Sequence, residues 1–203
     1  MPGRLFLTTP LRDIASWFGR DPVDAPENPP RLNMQPGQPL VCLTQDGFQE
    51  MRWGIMPVGR VNARGRPVME TLINARSETV FGKSAFAGMG RAAVVVDGWY
   101  EWTGAARKKT AWRISGKQPL IFAAISDIWT APGGLEVPQV ATLTCEPNAD
   151  VARVHHRMGV LLRPEDVPLW LGGSVAQVAD LLKPWPAGLL CIEPATDVDW
   201  QGP

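Results

Sequence analysis

The sequence lacks the features on which several common classes of protein depend. Its three cysteines, Cys42, Cys145 and Cys191, lie far apart and form no CxxC pair, so neither a zinc site nor a disulfide framework is predicted. No stretch approaches the ~18 consecutive apolar residues of a membrane-spanning helix. The first six residues hold one charge and no long apolar run, unlike a secretory signal. These absences predict a cytoplasmic protein without a metal ion or a cofactor.

An excess of charge of one sign is also absent. The formal net charge is zero, so no overall basic field indicates nucleic acid. Fifteen of the twenty basic residues are nevertheless arginine, whose planar guanidinium suits phosphate oxygens. A GC-rich genome, which enriches Arg, Gly, Ala and Pro together, is the simpler explanation. The nine tryptophans can fill a core or stack on unpaired bases, and composition alone favours the core.

Common catalytic signatures are missing as well. The chain has no phosphate-binding glycine loop, no HExxH and no GxSxG, which disfavours the enzymes that are recognised by those motifs. A cysteine-dependent or metal-dependent hydrolase is disfavoured for the same reason, because no nucleophile or ligand set is evident.

The hydrophobic pattern predicts a single domain over residues 1–203 with many short strands. Residues 40–44 and 48–53 flank Gln45-Asp46-Gly47, which is a good hairpin signal. Further strands are predicted at residues 92–102, 110–114, 120–129 and 139–145. Short helices are predicted at residues 9–19, 77–90, 164–171 and 174–182. We therefore predict an α+β fold with a curled, mainly antiparallel, barrel-like sheet and expect a monomer.

The two histidines, His155 and His156, are the only imidazoles in the chain. They follow a predicted helical turn and precede a predicted strand. Catalytic residues favour such junctions because the flanking elements hold them while their tips stay open. A structural role for His155 is an equally good interpretation.

A second cluster lies at the end of a predicted strand, where Asn74 and Arg76 place an amide and a guanidinium together. Its structural interpretation is a helix cap, since Ser77 and Glu78 favour a helix N-terminus.

A third cluster is the run Gly98-Trp99-Tyr100-Glu101-Trp102. Strand alternation places Trp99 and Glu101 on one face and Tyr100 on the other. A carboxylate among aromatic rings is a candidate for a shifted pKa and for acid–base chemistry. A solvent-facing glutamate is the alternative.

Taken in order, these clusters resemble one known family over essentially the whole chain. The motifs that carry the resemblance are the amino-terminal Met-x-Gly-Arg, Asn33-x-x-Pro36, Arg52-Trp53-Gly54, the run from Asn74 to Thr79, the run from Gly98 to Trp102, and His155-x-Arg157-Met158. The sequence is similar to the SRAP family, the SOS-response-associated peptidases or abasic-site processing proteins. The resemblance implies the barrel-like SRAP fold and a role at abasic sites of single-stranded DNA in the DNA damage response.

The resemblance also implies roles for particular residues. His155 would be the general acid–base that assists opening of the sugar ring, Glu101 would hold the attacking amine or polarise the sugar hydroxyl, and Asn74 would bind at the reacting centre. The residues implied to contact DNA are Arg4, Asn33, Trp53, Arg76 and Arg157. For Trp53, packing in the core is as good an interpretation as stacking on a base.

Position 2 departs from the family pattern. In the family, removal of Met1 exposes an N-terminal cysteine that captures the abasic aldehyde as a thiazolidine, but this chain has Pro2. If Met1 is removed, Pro2 carries a secondary amine that can form an iminium and promote β-elimination. If Met1 stays, Pro2 is an ordinary amide. The protein is then a non-covalent binder that shields abasic DNA, or an inactive paralogue that binds single strands or junctions.

Overall fold

The computed structural model describes residues 2–56, 71–105, 108–130 and 133–202. In these ranges the chain forms eleven strands and two short α-helices. The strands are β1 (Leu5–Leu7), β2 (Arg31–Met34), β3 (Pro39–Thr44), β4 (Gly47–Trp53), β5 (Asn74–Arg76), β6 (Gly90–Thr103), β7 (Thr110–Thr130), β8 (Glu136–Cys145), β9 (Met158–Gly159), β10 (Leu161–Leu162) and β11 (Cys191–Pro194). The helices are α1 (Val167–Gly172) and α2 (Val175–Val178).

Single-turn 3₁₀ helices make up the remaining helical structure of the described ranges. They span Leu11–Asp13, Ala15–Phe18, Pro22–Asp24, Ser84–Phe86, Val151–Arg153, Pro164–Asp166 and Ala179–Leu181. Most of the regular secondary structure in these ranges is therefore sheet. No helix in the described part of the chain is long and apolar enough to cross a membrane.

Five strands close into a barrel. The long strands β6 and β7 pair in antiparallel fashion, and β8 pairs with the far half of β7. Parallel pairing joins β8 to β4, the β4–β3 hairpin follows, and β3 pairs back onto β6. The ring β6-β7-β8-β4-β3 thus leaves none of its five strands as a free edge, which removes the exposed backbone groups of an open sheet.

Large apolar side chains fill this barrel. Trp53, Trp99 and Phe122 are fully buried, and the rings of Trp99 and Phe122 meet edge to face with centroids 5.5 Å apart. The Trp53 indole N–H donates to the carbonyl of Ile73 at 3.0 Å. Burial of rings this large stabilises the fold by roughly 1.5–3 kcal/mol for each side chain.

The opposite face of β6 carries a second, smaller apolar cluster that holds the carboxyl-terminal segment. Tyr100 packs there against Phe6 and Trp200, with ring centroids 5.1 and 5.0 Å away. Trp99 belongs to the main core and Tyr100 to this outer cluster. The predicted alternation along β6 is therefore confirmed, and it points Glu101 to the same side as Trp99.

The structure confirms the 40–53 hairpin and corrects several other predicted boundaries. The two strands predicted at 110–114 and 120–129 are one continuous strand, β7. Between residues 77 and 90 the chain forms turns and a single 3₁₀ helix where a helical stretch was predicted. Residues 9–19 form two 3₁₀ turns instead of one helix, ending at Gly19 with φ of 63°, a conformation that suits glycine.

Candidate active site at one end of the barrel

Three structural elements bring the predicted site residues to the same end of the barrel. Strands β5 and β8 are parallel, and β6 runs in the same direction as β8 because both are antiparallel to β7. Their carboxyl ends therefore point toward the same end of the barrel. Asn74 lies on β5, Glu101 lies near the end of β6, and His155 follows β8 after a 3₁₀ turn.

Asn74 fixes the start of the chain in this cleft. Pro2 is buried, and its carbonyl accepts a hydrogen bond from Asn74 Nδ2 at 2.8 Å. The hydroxyl of Thr142 donates to Asn74 Oδ1 at 2.5 Å. The Pro2 carbonyl can only accept, so it fixes the amide N–H of Asn74 toward the backbone of residue 2 and leaves Oδ1 to accept from Thr142.

Glu101 and His155 face each other beside this contact. The distance between Glu101 Oε2 and His155 Nε2 is 3.9 Å, and only 3% of Glu101 is exposed. Burial raises the pKa of Glu101 to about 7, against the opposing effects of the amino-terminal charge and a hydrogen bond from Trp99. A carboxyl group with a pKa near neutrality exchanges protons readily at cellular pH.

The backbone of Arg157 determines which ring nitrogen of His155 carries the proton. The Arg157 N–H donates to His155 Nδ1 at 2.9 Å. The Arg157 carbonyl is also 3.0 Å from Nδ1, but the fixed N–H leaves no room for a proton on Nδ1 in the neutral ring. The proton is therefore on Nε2, which faces Glu101. Burial and the amino-terminal charge lower the pKa of His155, so the ring is neutral at pH 7.

The amino-terminal charge influences Glu101 and His155 alike. Together with the Pro2–Asn74 bond, this brings the four predicted groups Pro2, Asn74, Glu101 and His155 into one cleft. The cleft contains a carboxyl group that can be an acid or a base, an imidazole N–H donor and a fixed amide donor. This combination suits general acid–base chemistry on a small polar substrate.

Two of the predicted DNA-contacting arginines are placed near the cleft. Arg76 is exposed on β5, two residues beyond Asn74. Arg4 is half-buried; its guanidinium donates to the Gly3 carbonyl at 3.0 Å, and its own carbonyl accepts from the Tyr100 N–H at 3.0 Å. Arg76 is therefore open to a phosphate, while Arg4 lies on the segment that leads into the cleft.

The placement of Arg157 differs from that expected of a free phosphate ligand. Its guanidinium is buried and makes a two-pronged contact with the carboxylate of Glu78, at 2.6 and 2.9 Å. It also donates to the Thr144 carbonyl at 2.6 Å. A phosphate contact by Arg157 would require the pair with Glu78 to open.

Asn33 and Trp53 are both fully buried, which does not fit direct contact with DNA. The Trp53 ring lies in the barrel core, in agreement with the packing interpretation. The Asn33 amide donates to the carbonyls of Asp199 and Gly202, at 3.1 and 2.8 Å. Asn33 therefore anchors the carboxyl-terminal segment against β2.

We expect Asn33→Ala to lower stability while leaving DNA affinity unchanged. The substitution leaves carbonyls of the anchored segment without their donor, a loss of about 1–3 kcal/mol. Urea unfolding measures this free energy, and fluorescence anisotropy with labelled DNA measures affinity. Unchanged stability combined with weakened DNA binding would contradict the anchoring role.

Two residues with a place in this site were not predicted from the sequence. Thr142 orients Asn74 although the two are separated by 68 residues, and Glu78 binds Arg157 across 79 residues. Both contacts depend on the parallel pairing of β5 with β8, for which no local pattern exists. In the part of the chain that the structure describes, no group of His, Cys, Asp or Glu is arranged to hold a metal ion.

These features define a class: a small closed β-barrel with an acid–base cleft built around the start of the chain. The family model described as SOS response associated peptidase (SRAP) matches residues 1–199. The chain belongs to the SRAP family, and the resemblance carried by its motifs is confirmed at the level of the family.

Individual relatives agree with this assignment. The chain is 29% identical to the abasic site processing protein YoqW of Bacillus subtilis (strain 168) over 201 residues, which cover 92% of this chain and 88% of YoqW. It is 30% identical to the abasic site processing protein YoaM of the same organism over 182 residues, 84% of this chain and 79% of YoaM. A crystal structure of a Bacteroides thetaiotaomicron protein superposes with a TM-score of 0.80 at 22% identity, covering 96% of this chain and 92% of that one, which confirms the fold.

Proposed function

We propose that this protein binds abasic sites in single-stranded DNA and acts in the DNA damage response. The observation that carries the proposal is the hydrogen bond from Asn74 to the carbonyl of Pro2, beside the Glu101–His155 pair. The names of YoqW and YoaM, both abasic site processing proteins, support the same substrate. The ring-opened sugar of an abasic site presents an aldehyde, and the start of the chain lies where a nucleophilic amine would meet it.

In a chain from which Met1 has been removed, Pro2 carries a secondary amine with a pKa near ~8. Its nitrogen adds to the aldehyde carbon and gives a carbinolamine. Protonation of the hydroxyl expels water, and the product is an iminium cation. Removal of a proton from the adjacent sugar carbon then expels the 3′-phosphate by β-elimination, and hydrolysis of the iminium releases the amine. Every step uses only water and protons besides the two reactants.

The cleft supplies the proton transfers that these steps need. The Glu101 carboxyl group has a pKa of about 7, so it can protonate the departing hydroxyl and take up a proton in the next step. The neutral His155 ring offers its Nε2 proton to the sugar oxygen during ring opening. Asn74 holds the carbonyl of residue 2, which keeps the amine beside both groups.

A second function follows if Met1 is retained. The Pro2 nitrogen then belongs to a tertiary amide, which has no free electron pair for attack on an aldehyde. The same cleft would shield an abasic site without covalent chemistry, through hydrogen bonds from Asn74 and His155 and through phosphate contacts. An inactive paralogue that binds single strands or junctions is the remaining alternative.

Both the covalent and the non-covalent function require preferential binding to an abasic site, and a binding experiment tests this requirement. We expect tighter binding to a single-stranded oligonucleotide with one reduced abasic site than to the intact strand or to duplex DNA. A reduced site cannot form an iminium, so the measurement is independent of Met1. Equal affinity for the abasic and intact strands would support the paralogue, and undetectable binding at low salt would refute both abasic-site functions.

The salt dependence of the same binding tests the phosphate contact that we assign to Arg76. We expect Arg76→Ala to reduce the slope of log K against log salt by about 0.7, the value for one phosphate of a single strand. Arg163→Ala is the matched control, because Arg163 is exposed and bound only loosely to Glu165 at 3.9 Å. Equal slopes in the wild type and Arg76→Ala would remove Arg76 from the interface.

A further inference from the structure

The junction that carries His155 is folded by its own backbone and by Arg157. The N–H of His155 donates to the Val151 carbonyl at 2.8 Å, which closes the turn. The N–H of Arg157 then donates to His155 Nδ1 at 2.9 Å. The orientation of the ring therefore depends on where the backbone of Arg157 is held.

The side chain of Arg157 holds that backbone, together with the pairing of the next residue, Met158, with Cys145 of β8. Its guanidinium donates to Glu78 Oε1 and Oε2 at 2.6 and 2.9 Å and to the Thr144 carbonyl at 2.6 Å. Thr144 lies near the end of β8. A fourth, longer contact joins the guanidinium to the Thr144 hydroxyl at 3.3 Å. The two contacts with Glu78 are bidentate, the geometry that restricts an arginine most strongly.

Glu78 is itself fixed to the strand that carries Asn74. It follows β5 by two residues, and the N–H of the intervening Ser77 donates to the Thr144 carbonyl at 2.9 Å. The Glu78–Arg157 pair thus joins the Asn74 side of the cleft to the His155 side. We propose that Glu78 is a positioning residue that, through Arg157, keeps His155 in the tautomer with its Nε2 proton toward Glu101.

The pair differs from an ordinary surface ion pair. The side chain of Arg157 is 9% exposed and that of Glu78 is 45% exposed, and their shortest contact is 2.6 Å. In the pair of Arg163 with Glu165, the side chains are 58% and 67% exposed and the atoms are 3.9 Å apart. Exposed pairs of that kind contribute little, so Glu165→Gln is a matched control for Glu78→Gln.

The experiment follows the imidazole nitrogens of the free protein by NMR. The chain has only two histidines, so His156→Gln assigns their signals. In the wild type we expect His155 to be neutral, with its proton on Nε2. In Glu78→Gln the guanidinium loses its two-pronged contact and the Arg157 backbone is held less firmly, so we expect several-fold more of the tautomer in which Nδ1 donates to the Arg157 carbonyl.

The titration of His155 provides a second readout in the same samples. The charged or titratable groups that influence His155 are Glu101 across the cleft, the stacked His156, Arg157 and the amino terminus. We expect the pKa of His155 to shift in Glu78→Gln, because the substitution loosens the junction around the ring and removes the carboxylate that offsets the charge of Arg157, which lowers the His155 pKa. Glu78→Asp keeps the charge, so its His155 pKa should lie between those of the wild type and Glu78→Gln.

An unchanged tautomer and pKa in a folded Glu78→Gln would overturn the proposal, as would an equal change in Glu165→Gln. If Glu78→Gln does not fold, Arg157→Lys serves instead, since it keeps the charge but loses the two-pronged contact, and it must show the same shift. The role of His155 rests on the proposed function, but these measurements contain no DNA. Failure of DNA binding and failure of this inference are therefore distinguishable.

Discussion

Protein without Met1 is expected to form a borohydride-trapped adduct with a single-stranded oligonucleotide that contains an abasic site. The iminium between the Pro2 nitrogen and the sugar is reduced to a stable amine, so the complex survives denaturing electrophoresis. In protein that retains Met1 the Pro2 nitrogen is an amide, so any trapped adduct must lie on the Met1 amine or on a lysine, and peptide mapping of the adduct identifies the bonded nitrogen. Intact-mass measurement of each preparation shows which form is present.

Two controls separate the reaction at Pro2 from reaction at surface lysines. An oligonucleotide with a tetrahydrofuran in place of the abasic sugar has no aldehyde and must give no adduct. His155→Ala should slow trapping by roughly 10²-fold if His155 supplies a proton in ring opening. A trapped adduct that forms equally well with Met1 present would assign the chemistry elsewhere, and the absence of an adduct with Met-free protein would leave non-covalent shielding.

The pH dependence of trapping follows from the same groups. The Pro2 amine must be neutral to attack, and it loses its proton near ~8. Glu101 must be protonated to expel water, and it loses its proton at about 7. The rate of trapping should therefore rise with pH as the Pro2 amine loses its proton and fall as Glu101 loses its proton. It should peak between pH 7 and 8. In Glu101→Gln we expect a lower rate and no falling limb.

Burial of Glu101 also links its protonation to stability. Its pKa in the folded protein, about 7, lies above its unfolded value near ~4.3. The folded state therefore binds the proton more tightly, and this contribution is fully present below the unfolded pKa. It is lost as pH rises toward 7. The carboxyl group to which we assign the acid–base role therefore also makes the fold less stable on the alkaline side.

Local sequence signals predicted the residues of the cleft better than they predicted the residues that hold them in place. The alternation Trp99, Tyr100, Glu101 correctly placed Glu101 on the core side of β6, because the strand period is two. The junction after β8 correctly placed His155 at an end of the barrel. These signals lie within a few residues of the side chains that they locate.

The errors arose where tertiary contacts override local patterns. The segment from Gly116 to Pro119 has the composition of a turn, yet it is a bulge within β7, because the residues on either side remain paired with β6. A Cβ on Gly116 would lie 2.8 Å from the Gln118 carbonyl. The glycine therefore permits the close backbone approach within this bulge, and the strand continues through it. Asn33 and Arg157 likewise belong to motifs of the family, but a motif does not tell whether a side chain faces DNA or the protein interior.

Pro2→Cys is expected to form a DNA crosslink that is stable to denaturation without borohydride, once Met1 is removed. The amine and the thiol of an N-terminal cysteine both add to the aldehyde and close a thiazolidine with loss of one water. The structure supports this exchange because Asn74 binds the carbonyl of residue 2, a backbone atom that cysteine carries as well as proline.

Pro2→Ser separates the contribution of the thiol from that of the amine. Its primary amine can form an imine that borohydride traps, but without a thiol it should give no stable crosslink. Adding His155→Ala to Pro2→Cys should slow crosslinking and leave the final yield unchanged, since the role we propose for His155 is in ring opening and the thiazolidine does not depend on it. A folded, Met-free Pro2→Cys that remains uncrosslinked would mean that the cleft does not hold an abasic sugar at all. In that case the Glu101–His155 pair would have a structural role, and single-strand binding without abasic-site recognition would be the better description of this barrel.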